Sequence, residues 1–563
     1  MSLLSSLLLA GVLQAPSWEA DLNTALAKVE LTQASARFDE TILRLFRKGE
    51  FPPSIYMAMS EDPWRIPAYT AIKRGEYIRA VGKPSDLLAS GGQWLGWGVR
   101  RTLMGNPNAE LEKTAQLPDS LQKQLDQMVK DGLLSKTAPR FNDVPKEVQQ
   151  AACLILASAQ SVQPMMRAAT ARIGDISKAH NILEGTPEAE GLGFAPTLDL
   201  YRAYDPSPMA SAGHDFFLAC QTAAEWAAKV SDKAKYTAVL ETKFGPVILR
   251  GGSDDTTPLT NPFLVIDTGG NDTTINAARA ASSARPFSVH IDTAGKDSYL
   301  SDSALANLAV EKWEGRKGGS GRGPASAQLG ISVLIDSAGD DLYRSHRPAF
   351  ASARMGCSML LDKGGNDTYD TYNDSLGFGL FGGAILEDLA GNDTYSGFTQ
   401  VQGAGITMGL GVLADRAGND VYTANDIVID SPSPQSAQHN VSMSQGAGYG
   451  RRADYTDGHS LAGGVGILLD SQGNDRYSCG VFGQGVGYWM GVGLLWDLAG
   501  QDSYSGQWYC QGASAHFAIG IIEDESGDDS YLSPMNMAQG AGHDFSVGFL
   551  KDSAGNDKYV APN

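Results

Sequence analysis

The sequence predicts an α+β chain: an all-α helical domain, residues 16–243, followed by a right-handed parallel β-helix, residues 244–563. Three observations carry this reading. A unit of the form L-x-D-x-x-G-N/D-D-x-Y recurs ten times from Asp267 onward. Its copies lie 25 to 28 residues apart wherever no insertion interrupts them. Before Phe244 the apolar residues fall instead at helical intervals.

In the first part, Leu22, Leu26 and Val29 share one helix face, and so do Phe38, Ile42 and Leu45. Pro118-Asp119 opens a further helix carrying Leu121, Leu125 and Met128, with Gly132 suited to its end. Longer apolar-periodic stretches run from Pro145 to Ile173, with a kink expected at Pro164, and from Asp215 to Val230. Phe51 to Pro118, rich in Pro, Gly and aromatics, takes no assignment.

In the second part the first aspartates of the units are Asp267, Asp292, Asp336, Asp362, Asp388, Asp415, Asp470, Asp497, Asp524 and Asp552. Two intervals are long, 44 residues after Asp292 and 55 after Asp415. Removing insertions of about 16 to 18 and about 28 residues restores the period. Gly251 to Asp255 reads as a degenerate opening coil. A second landmark, Q-G-x-G, occurs at Gln402, Gln445, Gln484, Gln511 and Gln539.

A period near 27 is too short for a propeller blade or a helix pair and fits one turn of a stacked β-coil. The expectation is ten to twelve coils. The glycine of each turn supplies a left-handed corner, and the Asn or Asp after it closes an Asx turn. The terminal tyrosines, Tyr299 to Tyr559, form an aromatic column that Thr274 breaks in the first full copy. The second fold reading takes D-x-x-G-N-D as a hairpin turn and gives an antiparallel β-barrel. Before each late aspartate, Val, Ile or Leu alternates with Gly, as at Val465-Gly466 and Val492-Gly493. One strand face is therefore aliphatic and the other is bare glycine. Either the glycine face is covered by the helical half or another chain, or it lines an interior that only Gly fits.

Stacking at about 4.8 Å aligns the acids into columns of like charge. Two such charges repel by about 1 kcal/mol in water and about 3–4 kcal/mol at an effective dielectric of 20. A neutralising cation, or hydrogen-bond ladders that use the oxygens without metal, must answer this. Ca²⁺, a hard ion taking oxygen ligands, is the candidate cofactor. The metal-ligand candidates are the ten first aspartates and their partners five residues on: Asp272, Asp297, Asp341, Asp367, Asp393, Asp420, Asp475, Asp502, Asp529 and Asp557.

The runs Gly269-Gly270-Asn271-Asp272-Thr273 and Gly364-Gly365-Asn366-Asp367-Thr368-Tyr369 resemble the nonapeptides of RTX calcium-binding β-rolls. That resemblance implies Ca²⁺ shared between stacked turns, with the second aspartate of each unit as ligand. Here one turn occurs per coil rather than in tandem. The whole unit resembles repeats of secreted bacterial β-solenoid proteins with a helical first half, which imply no reaction.

Catalytic signatures are missing from the sequence: no nucleophile elbow, zinc-protease helix, P-loop or dinucleotide fingerprint stands in a fitting context. Residues that break a repeat merit separate attention, because stacking does not need them. The 415–470 unit carries two insertions, one with His439, the other with Arg451, Arg452, Asp454, Tyr455, Asp457 and His459. The 292–336 insertion holds Glu311, Trp313, Glu314, Arg316 and Lys317. By fold analogy with β-helix polysaccharide lyases, Arg451, Arg452 and His459 are the catalytic candidates. Tyr488, Trp489, Trp496, Trp508 and Tyr509 offer flat faces for a glycan, or pack as an edge.

With 44 Lys+Arg against 64 Asp+Glu the net charge is −20, which argues against nucleic acid or an anionic membrane as partner. An extracellular or cell-surface glycan or protein remains. The opening run Met1 to Ala15 reads as a signal peptide and is too short to span a bilayer. It implies a secreted, periplasmic or surface location. The five cysteines are odd in number and widely spaced, so they read as buried thiols.

Overall fold

The computed structural model describes residues 18–99, 105–134, 141–184, 194–257, 261–280, 285–302 and 322–561. The leader-like run and the insertion residues from Glu311 to Lys317 lie outside them. Helices fill the chain as far as Ala227, and a parallel β-solenoid of about ten turns follows, with no barrel.

Each full coil gives one strand to each of three sheets. The first sheet runs in parallel from Gly245–Arg250 to Val547–Asp552, and Thr237–Thr242 pairs antiparallel with its first strand. The second sheet holds the strands that follow each G-N-D turn, and the third a further strand of each coil, which in the later coils follows Q-G. Register is strict: Val465, Gly466 and Ile467 lie beside Val492, Gly493 and Leu494. The long intervals leave it intact. Leu410 pairs with Val465 across one insertion, and Tyr299 with Tyr343 across the other. Within the 415–470 insertion, Ser436–Ser444 itself forms a strand that pairs in parallel with Arg476–Gly483 of the second sheet.

The glycine face is the interior. A Cβ on Gly466 would stand 2.1 Å from the Ala447 carbonyl oxygen, and one on Gly493 1.9 Å from that of Val486. The solenoid is too thin there for any side chain. The aliphatic face is the one the helices cover. Val465, Ile467, Val492, Leu494 and Trp496 join one hydrophobic cluster with helix residues such as Leu87, Leu88 and Phe216. Contact is close enough to need glycine on the helices too: a Cβ on Gly91 would meet Leu410 at 2.5 Å, and one on Gly213 would meet Cys357 at 2.6 Å.

The helices expected from periodicity appear at Trp18–Lys28, Glu40–Phe46, Ser120–Lys130, Lys146–Thr170 and Pro206–Ala227. Pro164 stands inside the fourth. The unassigned stretch holds helices at Ser54–Glu61, Ile66–Arg79, Pro84–Leu95 and Ala109–Ala115. Among the described residues no helix is long and apolar enough to cross a membrane.

The turn glycines take the positive φ expected of them, but a wide one: Gly270 stands at +124 and Gly339 and Gly365 at +157, values that side chains rarely adopt. Glycine is needed for close approach: a Cβ on Gly391 would stand 2.0 Å from the Gly365 carbonyl oxygen, and one on Gly418 1.9 Å from that of Gly391. Tighter left-handed corners occur at Q-G, where Gln402 and Gly403 have φ of +59 and +80. There each Gln side chain stitches coils, as when Gln402 Nε2 donates to the carbonyls of Tyr395 and Thr423.

Candidate metal centre

Three columns run side by side through the D-x-x-G-N-D-x-Y turns. The first aspartates lie at the end of the first-sheet strands, and from Asp267 to Asp524 all are fully buried. One oxygen accepts the backbone N–H two residues on, as in Asp336 to Ala338 and Asp388 to Ala390. The other accepts the hydroxyl of the preceding coil's tyrosine, at 2.5–2.8 Å from Tyr343–Asp362 through Tyr504–Asp524. The tyrosine rings themselves stack, 4.5 to 5.0 Å apart from Tyr299 to Tyr559. The expected aromatic column is therefore real, and its hydroxyls satisfy the first aspartates.

The second aspartates form a ladder. The backbone N–H of each donates to Oδ1 of the next, at 2.6 Å from Asp341 to Asp367, Asp367 to Asp393 and Asp393 to Asp420. The remaining oxygen, Oδ2, is buried without a hydrogen-bond partner at Asp297, Asp341, Asp367, Asp393, Asp420, Asp475, Asp502 and Asp529. Each interface thus brings together three carboxylates. Asp341, Asp362 and Asp367 each offer an oxygen within 4.8 Å of the others, as do Asp297, Asp336 and Asp341. Asp552 and Asp557 close the column at its more exposed end.

Burial, followed by the facing carboxylates, opposes ionisation. It pushes Asp341 up to about 7, Asp393 to about 8 and Asp367 and Asp420 to about 9. A site of this kind takes a proton or a metal ion. The donor set fits a hard dication: all oxygen, anionic, and spaced so that two ligands at about 2.3–2.6 Å span a central ion.

The opening coil supports the same logic. Arg250 lies in register with Asp267, at the place of a first aspartate. Its guanidinium donates to Asp267 Oδ2 and, at 3.2 Å, to Asp272 Oδ2. Where the chain supplies its own cation, the second aspartate's Oδ2 has a partner. Extending the repeat backward by one unit finds Arg250, since R-G-G-S-D-D aligns with D-x-x-G-N-D.

The other candidates are engaged elsewhere. Arg451 is buried, pairs with Asp457 at 2.7 Å, donates to the His459 carbonyl and stacks on Phe194 of the helical half. Arg452 pairs with Asp454 and donates to His516. The His459 side chain is exposed. Trp496 is wholly buried under Tyr77 and Trp94, and Trp489 is also buried, so these two offer no face to a glycan. Trp508 is partly exposed and donates to Asn536. Searches of protein-family models, curated proteins and solved structures find no match to the chain.

Proposed function

We propose that this chain is a structural or interaction β-solenoid whose coils are clamped by divalent cations, Ca²⁺ first among them, at the aspartate turns. The observation that carries the reading is the column of buried Oδ2 atoms without partners, which ends where Arg250 brings a positive charge. The cation contributes stability and not chemistry. The leader-like first residues support a setting outside the cytoplasm, where weak Ca²⁺ sites fill. The partner class remains a surface glycan or protein.

The test is Ca²⁺ uptake by the full chain at pH 8, followed by calorimetry and by thermal melting with and without EGTA. Several equivalents bound, and a melting point that falls on chelation, are the expected results. A melting point indifferent to EGTA, with no Ca²⁺ retained on dialysis, would sink the proposal.

A further inference from the structure

Two repeat-breaking residues meet at one interface near the start of the solenoid. Thr274 stands where later coils place tyrosine, in register with Tyr299. His290 stands two residues before Asp292, where the following coils have Leu334, Leu360, Leu386 and Leu413. Neither change serves stacking. Together they alter the surroundings of a single carboxylate. Without a tyrosine hydroxyl above it, Asp292 Oδ2 has no partner, and Thr274 Oγ1 has none either.

His290 is completely buried, and both its ring nitrogens lack hydrogen-bond partners. Its Nε2 lies 4.0 Å from Asp292 Oδ2. Asp297 Oδ2 is likewise buried and bare, and Asp292 and Asp297 each place an oxygen within 4.8 Å of the other. A buried imidazole with two free nitrogens is costly, because each unmade hydrogen bond forfeits solvation. A neutral imidazole keeps a lone pair on one nitrogen, which can ligate a metal.

We propose that this interface binds one transition-metal dication of the Zn²⁺ class, through the His290 imidazole and the carboxylates of Asp292 and Asp297. Imidazole nitrogen is the donor that separates it from the all-oxygen interfaces beyond, since Ca²⁺ prefers oxygen and Zn²⁺ accepts nitrogen. The 4.0 Å separation must narrow by about 0.6 Å to reach the roughly 3.4 Å edge of a tetrahedron with bonds of about 2.0–2.1 Å. Charge also fits. Arg250 faces Asp267, Asp272 and Asp255 and its charge reaches Asp297, whereas Asp292 is surrounded by Asp297, Asp267 and Asp272. Arg250 holds Asp267 and Asp272, and the metal takes Asp292 and Asp297. This inference stands apart from the Ca²⁺ reading, because His290 needs a partner whatever the later interfaces hold.

The full chain, folded with excess Ca²⁺ and one to two equivalents of Co²⁺ as the spectroscopic probe, provides the test. To remove the half-buried histidine pair at the far end, which with Asp544 could also hold a metal ion, the background carries His516→Ala and His543→Ala. We expect one tightly held Co²⁺ by elemental analysis after dialysis, with visible d–d bands, and competition by Zn²⁺. His290→Leu restores the residue of neighbouring coils, so it folds. It is expected to lose that one equivalent and the bands, with its Ca²⁺-dependent melting unchanged. Thr274→Tyr, which returns a hydroxyl to Asp292, should lower Co²⁺ affinity at least tenfold. Absence of bound Co²⁺ in the His290 chain, or equal retention in His290→Leu, would overturn the proposal. Loss of EGTA sensitivity alone would strike the Ca²⁺ reading and leave this one standing.

Discussion

Asn392 and Asp393 are neighbours in one turn, yet their columns solve the same stacking problem differently. The Asn column is exposed and self-sufficient: Asn392 donates from both its backbone N and its Nδ2 to Asn366 Oδ1, and Asn419 does the same to Asn392. An amide carries donor and acceptor, so each rung satisfies the next. The Asp column is buried and incomplete. A carboxylate only accepts, so after one oxygen takes the neighbouring N–H the other is left bare. The exposed column needs nothing from outside. The buried one needs a cation or a proton.

The sharpest way to break that contrast is to remove the cation. At a ligand concentration a hundredfold above Kd, each site contributes about 2.7 kcal/mol. With several sites, EGTA at pH 8 should lower the melting point by on the order of 10 °C. Differential scanning calorimetry reads the shift directly.

Acid should partly replace the metal. The second aspartates from Asp297 to Asp529 are raised from the usual 3.8 to between about 7 and about 9. Between those limits and the unfolded value the folded chain holds more protons, so metal-free stability falls as pH rises from about 4 to about 9. With saturating Ca²⁺ the ion takes the protons' place, and the decline should flatten. Chemical denaturation across pH, with Ca²⁺ and with EGTA, gives two curves. If they run parallel, the carboxylates are not the shared site.

Making the buried column resemble the exposed one is a smaller intervention. Asp367→Asn keeps the oxygen that accepts the Asp341 N–H and puts an N–H₂ beside Asp362. The metal-free protein should gain about 1–3 kcal/mol at pH 8, the penalty of an unsatisfied buried group. Bound Ca²⁺ should fall by at least one equivalent. Tyr395→Phe acts on the first aspartates instead, taking away the 2.7 Å hydroxyl contact to Asp415. A loss of about 1.5–3 kcal/mol is expected in denaturant melts, whether or not metal is present.

The solenoid was readable because its constraint is repeated: one D-x-x-G-N-D-x-Y turn per coil sets register, and the insertions betray themselves by breaking the period. The stacking of like acids followed from that alone. Which atom stayed bare did not, because it depends on the tyrosine of one coil reaching the aspartate of the next. The helical layer was harder to see. Pro84–Leu95 buries nearly every side chain between other helices and the sheet, so it shows no polar face to mark its period, and Gly91-Gly92 mimics a breaker while permitting close approach. The stripe Phe38, Ile42, Leu45 misled: Leu43 is the buried residue, and Ile42 and Leu45 are exposed. A pattern of apolar residues states what can be buried, whereas the partner surface decides which of them are.

The mildest change discriminates best between the two columns. Asn392→Ala removes one rung: the Nδ2 donor to Asn366 leaves while the backbone N–H stays, and Asn419 loses the oxygen that accepts both its N–H groups. Because water reaches this column, the replaced hydrogen bonds are recovered from solvent, and the cost should be about 0.5–1.5 kcal/mol. Ca²⁺ stoichiometry should not move, and the EGTA shift should match the unaltered chain. If Asn392→Ala abolished Ca²⁺ binding, the exposed amides would be ligands, and the division between a self-sufficient column and a cation-requiring one would fail at its simplest point.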